Sequence, residues 1–240
     1  MTADGHDRRL GAAVRNNAAW CDAMCRAHGI VGELTAHAWT SRARTPPLYP
    51  DAITLDPRTD EPTVFTRIDA SPGCSIKDSF AKLDLEQFGL AVLFDATWLH
   101  GFFDEYTGTK GDPRVIWSTV VSVPALTEWE QAWAGASEVT KLFVPSLLDD
   151  PNISVISGAV DGKVVAGGVL NRLDDVVGIS NVFGADAIDL DAVWNALTRW
   201  TGECFPGRAI VGYESGPELD AALGAGLTPV GPLRVWLRSG

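Results

Sequence analysis

No apolar run in the chain approaches the roughly 20 residues that cross a bilayer. Its first nine residues, Met1 to Arg9, hold no apolar signal-peptide core. Lysine and arginine form no stripe, and the formal net charge is −12. Phosphate backbones demand clustered positive charge, so nucleic acid is not an expected partner. Cysteine is also scarce, with only Cys21, Cys25, Cys74 and Cys204. Without a secretion signal these are expected to be reduced thiols, not a disulfide framework. The expectation from these absences is a soluble, cytoplasmic protein with no membrane or nucleic-acid partner.

One cysteine spacing bears on metals. Cys21, Cys25 and His28 fall on one face of a helix, where they could be three zinc ligands with Cys74 or His37 as a fourth. The helical C-x3-C-x2-H spacing matches no common zinc module, and buried cysteine is ordinary packing. The expectation is therefore no metal.

With 46% hydrophobic residues, the 240-residue chain can bury one large core or two small ones. Periodicity predicts a helix over Leu10–Ala27 ended at Gly29, and strands over Glu33–Thr40, Ala52–Leu55 and Thr63–Ile68. The proline-rich stretch from Arg42 to Pro50 excludes helix and central strand. Beyond it, a strand ending at Lys77, a helix over Ser79–Phe88 stopped by Gly89, and a strand over Leu90–Leu99 are expected. Gly101 to Pro113 reads as the boundary between domains at 1–105 and 114–240.

The second half has clearer signals. Arg114–Val123 alternates, with Val115, Trp117, Val121 and Val123 on one strand face. Pro124 opens a helix with Leu126, Trp129 and Trp133 as its stripe, and a short helix at Leu142–Leu148 follows. Three strands come next (Ile153–Val160, Lys163–Arg172, Val176–Phe183), with Asp161-Gly162 as a type I′ hairpin turn. A helix over Leu190–Trp200, a strand at Ala209–Tyr213, a helix at Pro217–Leu223 stopped at Gly226, and a strand through Trp236 complete the chain.

This order resembles the GNAT (general N-acetyltransferase) acyltransferase superfamily over roughly Arg114 to Arg238. Two segments carry the resemblance: ISVISGAVDGKVVAGGVLNRLDDVVGISNVFG (Ile153–Gly184) and GYESGPELDAALGAGLTPVGPLRVWL (Gly212–Leu237). It implies an α/β (α+β) fold, a mixed sheet flanked by helices. It also implies an acyl-CoA, such as acetyl-CoA, wedged between splayed parallel strands at Val176–Phe183 and Ala209–Tyr213. The pantetheine arm would run along Gly178 to Gly184, giving Ile179, Ser180, Asn181, Val182, Phe183 and Gly184 as donor-binding positions. The acceptor would be the amine of a small molecule, and a homodimer is compatible with the family.

The pattern departs from the family in two places. Where members carry an R/Q-x-x-G-x-G/A phosphate loop, this chain has Gly184-Ala-Asp186-Ala-Ile-Asp189-Leu-Asp191, and no cation occurs between Arg172 and Arg199. A degenerate loop of this kind suggests an aspartate helix cap, and it leaves a carrier-protein thioester as an alternative donor. Where many members place a tyrosine four residues before the closing glycine, Ala222 stands here. Glu214 is the candidate base and Tyr213 a candidate proton donor. The other reading is a catalytically silent GNAT-like module that binds a ligand or partner.

Ser75 to His100 also aligns with Gly212 to Arg238: Gly89-Leu90 matches Gly226-Leu227, and Lys77 falls opposite Glu214. On this reading the first half is a shortened tandem repeat of the same fold, with Leu85 at the tyrosine position.

Overall fold

The structure, a computed structural model, describes residues 3–103, 111–135, 141–185 and 188–239. The chain divides into two compact units, one of residues up to Trp98 with those from Val230 onward, the other Leu99–Pro229.

The first unit opens with α1 (Ala3–Ala27), which buries Val14, Ala18, Cys21, Met24 and Cys25. The expected strand at Glu33–Thr40 is instead a hairpin of β1 (Glu33–Leu34) and β2 (Ala38–Thr40), paired antiparallel. The Thr35 side chain folds the turn by accepting from the amide of Ala38 and donating to its carbonyl. β3 (Ala52–Thr54) follows the proline-rich loop. That loop is fixed by buried Asp51, which accepts from Thr45 N at 3.1 Å, Ser75 N at 2.9 Å and Arg44 Nη1 at 2.7 Å.

The strand expected at Thr63–Ile68 is a helix, α2 (Glu61–Phe65). Asp60 caps it by accepting from Thr63 N, and Pro62 lies in its first turn, so local capping overrides β-branched composition. β4 (Ser75–Asp78) is parallel to β3 and antiparallel to the carboxy-terminal strand, with Lys77 opposite Val235. The helix expected at Ser79–Phe88 is reduced to a single 3-10 turn at Glu86–Phe88. Buried Asp78 accepts from the amides of Phe80 and Leu83, which holds the start of that stretch in a turn. β5 (Ala91–Phe102) then crosses the division between the units.

In the second unit β6 (Ile116–Thr119) is shorter than expected, and Val121 and Val123 are 81% and 50% exposed. Ser122 explains the loss of alternation, because it caps α3 (Val123–Ala134) by accepting from Ala125 N. The helix expected at Leu142–Leu148 is a 3-10 turn at Pro145–Asp149. The meander is as expected: β7 (Ile153–Val160), β8 (Lys163–Leu173) and β9 (Val176–Gly184). Positive φ at Asp161 (49°) and Gly162 (80°) makes the first turn. α4 (Leu190–Cys204), β10 (Ala209–Glu214), α5 (Gly216–Gly224) and β11 (Thr228–Leu237) complete the chain.

The sheet of this unit is mixed, with β6 to β9 antiparallel and β10 parallel to β9. Helices cover both faces, as two adjacent glycines of β8 reveal. A Cβ on Gly167 would lie 2.4 Å from Trp129 of α3, and one on Gly168 would lie 2.8 Å from Leu197 of α4. Neighbouring residues of a strand point to opposite faces, so each glycine admits one helix. Trp129 Nε1 then donates to Ile156 O at 2.8 Å.

α5 ends in a Schellman motif, with Gly226 N bonded to Leu223 O and Leu227 N to Ala222 O. The motif requires Gly226 in the left-handed region, at φ 88°. Gly226→Ala is expected to cost about 1 kcal/mol. Gly224→Ala, two residues earlier and with open space around it, should gain up to about 1 kcal/mol. Urea unfolding of both variants checks the opposite signs.

Candidate functional site

β9 and β10 pair in parallel at Val176–Ala209, Val177–Ile210 and Gly178–Val211, and there the ladder stops. β9 continues to Gly184 and β10 to Glu214. The strands are still side by side at Ile179 and Gly212, and beyond them the main chain of β9 has no ladder pair with β10.

A β-bulge in β9 starts two residues further on. Ser180 is level with Val169 of β8 and Phe183 with Gly167, so Asn181 and Val182 together oppose Gly168. Asn181 takes a left-handed conformation at φ 52°, which asparagine tolerates better than most residues. Its Nδ2 donates to Ser180 Oγ at 3.1 Å. Ser180 to Phe183 are half-buried and Gly184 is exposed. Phe183 is held edge-on to Trp129, with ring centroids 5.3 Å apart.

Continuing the register of the ladder sets Glu214 level with the bulged Asn181. Glu214 is half-buried, and its carboxyl is pushed up from 4.5 to about 8, first by loss of water and then by Glu218 in the first turn of α5. It is therefore mostly protonated at neutral pH. Tyr213, beside it, is half-buried. Ala222 is fully buried in the apolar core of this unit.

At the start of α4, Asp189 caps the helix by accepting from Asp191 N at 3.0 Å. This places a carboxylate on amides that would otherwise be free for an anion. Asp186 and Ala187 lie outside the described residues. A cavity of about 590 Å³ opens beside the end of β9, lined by Glu128, Gln131, Lys163, Val165, Phe183 and Ala185. Sequence reasoning did not single out Glu128, Gln131 or Lys163, because exposed polar residues on a helix and a turn carry no pattern.

The cysteine–histidine face lies in the first unit. Cys21 Sγ is 3.8 Å from Asn17 Oδ1, the same oxygen that accepts from buried Lys77 Nζ at 2.7 Å. Burial pushes the Cys25 thiol up to about 12. Among the described residues no group of three metal-ligating side chains converges, and no helix is long and apolar enough to cross a membrane.

No family model and no curated protein matches the sequence. Solved structures do match the fold. A GCN5-related N-acetyltransferase from Kribbella flavida superposes with a TM-score of 0.62 at 13% identity, covering 95% of this chain and 96% of that one. A GCN5-related N-acetyltransferase from Sphaerobacter thermophilus gives 0.55 at 12% identity over 94% and 92% of the two chains. The chain has the GNAT fold. A conserved protein of unknown function from Staphylococcus epidermidis aligns over 71% of this chain, with a TM-score of 0.60 and 12% identity. At these identities the likeness extends to the GNAT fold and not to the residues of the site.

The raised carboxyl makes a stability prediction. A group whose folded pKa lies above its unfolded value stabilises the fold while protonated, and loses that contribution as pH rises. The wild type should therefore lose stability relative to Glu214→Gln between pH 4.5 and about 8. Urea midpoints for both proteins across that range test it, and parallel curves would place Glu214 in ordinary solvent.

Proposed function

We propose that the protein is an N-acyltransferase, moving an acyl group from a thioester to the amine of a small molecule. The observation that carries this reading is the parting of β9 and β10 with Glu214 at its open end. A thioester arm laid along Ile179 to Phe183 can bond to the main chain that β10 leaves. The amine nitrogen would attack the thioester carbonyl, Glu214 would take the ammonium proton, and the sulfur would leave as the thiol with Tyr213 as proton donor.

The phosphate end of coenzyme A fits less well. Asp189 occupies the start of α4 and Asp191 adds a second carboxylate. Like charges about 4 Å apart repel by about 1 kcal/mol in water and more near a protein surface. A thioester lacking those phosphates, such as one on a carrier protein, meets no such penalty. The buried Ala222 favours the second reading, a GNAT-like module that binds and does not turn over, because no hydroxyl stands at that position.

Thermal shift with acetyl-CoA, longer acyl-CoAs and acyl-pantetheine separates these readings. A ligand at 100 times its Kd should add about 2.7 kcal/mol of stability. Asp189→Asn keeps a cap while removing a charge, and is expected to raise affinity for acyl-CoA several-fold while leaving acyl-pantetheine unchanged. Turnover should rise with pH towards about 8 and collapse in Glu214→Gln with binding intact. Binding without turnover in the wild type would support the silent module; no binding of any thioester would overturn the acyltransferase reading.

A further inference from the structure

At the opposite end of β10 from Glu214, a second pocket is lined by a cation whose Nη1 has no hydrogen-bond partner among the described residues. It has a volume of about 280 Å³ and is lined by Phe102, Phe103, Gly202, Glu203, Gly207 and Arg208, with Pro206 at its edge. Arg208 precedes the first residue of β10 and is half-buried. Its backbone N–H donates to Phe205 O at 3.2 Å, but its buried Nη1 has no hydrogen-bond partner. A guanidinium cannot discharge itself by losing a proton. An unpartnered buried donor on it costs more than a neutral one would.

Four other arginines are paired with aspartates. Arg44 is bonded to Asp51, Arg58 to Asp56, Arg114 to Asp112 and Arg234 to Asp95. Glu203 lines the same pocket and is exposed. Among the described residues the pocket thus combines a planar cation, two aromatic walls and one carboxylate.

We propose that this pocket binds a small monocarboxylic acid with a flat apolar body. The carboxylate would accept from the Arg208 fork once the side chain turns its buried Nη1 towards the pocket, a planar two-oxygen anion being the matched shape. The body would lie against Phe102 and Phe103. The volume is just below the roughly 300–1,000 Å³ of ligand sites, which limits the occupant to a small molecule. Glu203 disfavours a second negative charge. Six residues of extended chain separate Arg208 from Glu214, or about 20 Å, so this site is separate from the acyl-transfer site and does not rest on it.

Titration of the full chain with benzoate, benzamide and phthalate, followed by amide chemical shifts at Phe103 and Gly207, tests the proposal. Benzoate should saturate in the millimolar range or below. Benzamide, of the same shape but uncharged, and phthalate, with a second carboxylate, should each bind at least tenfold more weakly. Arg208→Gln should reduce benzoate to the benzamide level, and Glu203→Gln should bring phthalate up towards benzoate. If Arg208→Gln does not fold, Arg208→Lys keeps the charge without the fork and should weaken benzoate several-fold. Glu214→Gln should leave benzoate binding unchanged. Failure of benzoate to saturate, equal affinity for benzoate and benzamide, or unchanged binding in both Arg208 variants overturns it.

Discussion

The second unit depends on a parallel ladder that ends after three residue pairs. A strand buried in a sheet normally bonds on both sides, because a main-chain group without a partner is costly. β9 does so only as far as Ile179, whose carbonyl oxygen would lie 2.9 Å from a Cβ on Gly212; beyond it β9 keeps β8 and no further pair with β10 forms. The bulge at Asn181–Val182 bends the strand along this stretch, and the Phe183–Trp129 contact fixes where the bent end goes. Trp129 can sit there only because Gly167 has no side chain. The bend of β9 is therefore built into the core on the α3 side.

Sequence reasoning recovered the parts of this arrangement that follow from period and turn chemistry. Alternation and the Asp161-Gly162 turn gave the meander, and apolar spacing gave α4. It failed where one polar side chain reset the local backbone. Asp60 and Ser122 turned expected strand residues into helix starts, and Asp78 held a turn where a helix was expected. Such caps need only one side chain, so they leave no periodic trace.

Glu214 was legible as a strand-end carboxylate, but the parting beside it was not, since nothing in a run of apolar residues records where pairing stops. Arg208 was not legible at all, because the burial of a single nitrogen depends on distant packing. The Gly-Leu pair that suggested an internal repeat has a more general meaning. Gly89-Leu90 closes its turn with the same two bonds as Gly226-Leu227, and so does Gly29-Ile30 after α1. Three occurrences in one chain identify a way of ending helical turns, and the pair alone does not identify a duplication.

The protonated carboxyl at Glu214 looks at first like the wrong state for a base, and the energetics argue otherwise. An alkylamine resembling a lysine side chain holds its proton with a pKa of about 10.4. Against a carboxylate at 4.5, moving that proton spans about 6 units, and against one at about 8 it spans about 2. At 1.36 kcal/mol per unit, the uphill cost falls from roughly 8 to roughly 3 kcal/mol. Part of that gain disappears if the ammonium itself sits beside Glu214, because its charge favours the carboxylate. The gain survives best when the amine is held off by the thioester it is to attack and the proton moves late. On the proposed acyltransferase reading, burial would make Glu214 scarce as a base at neutral pH but strong when present, and the neighbouring Glu218 pushes its carboxyl in the same direction.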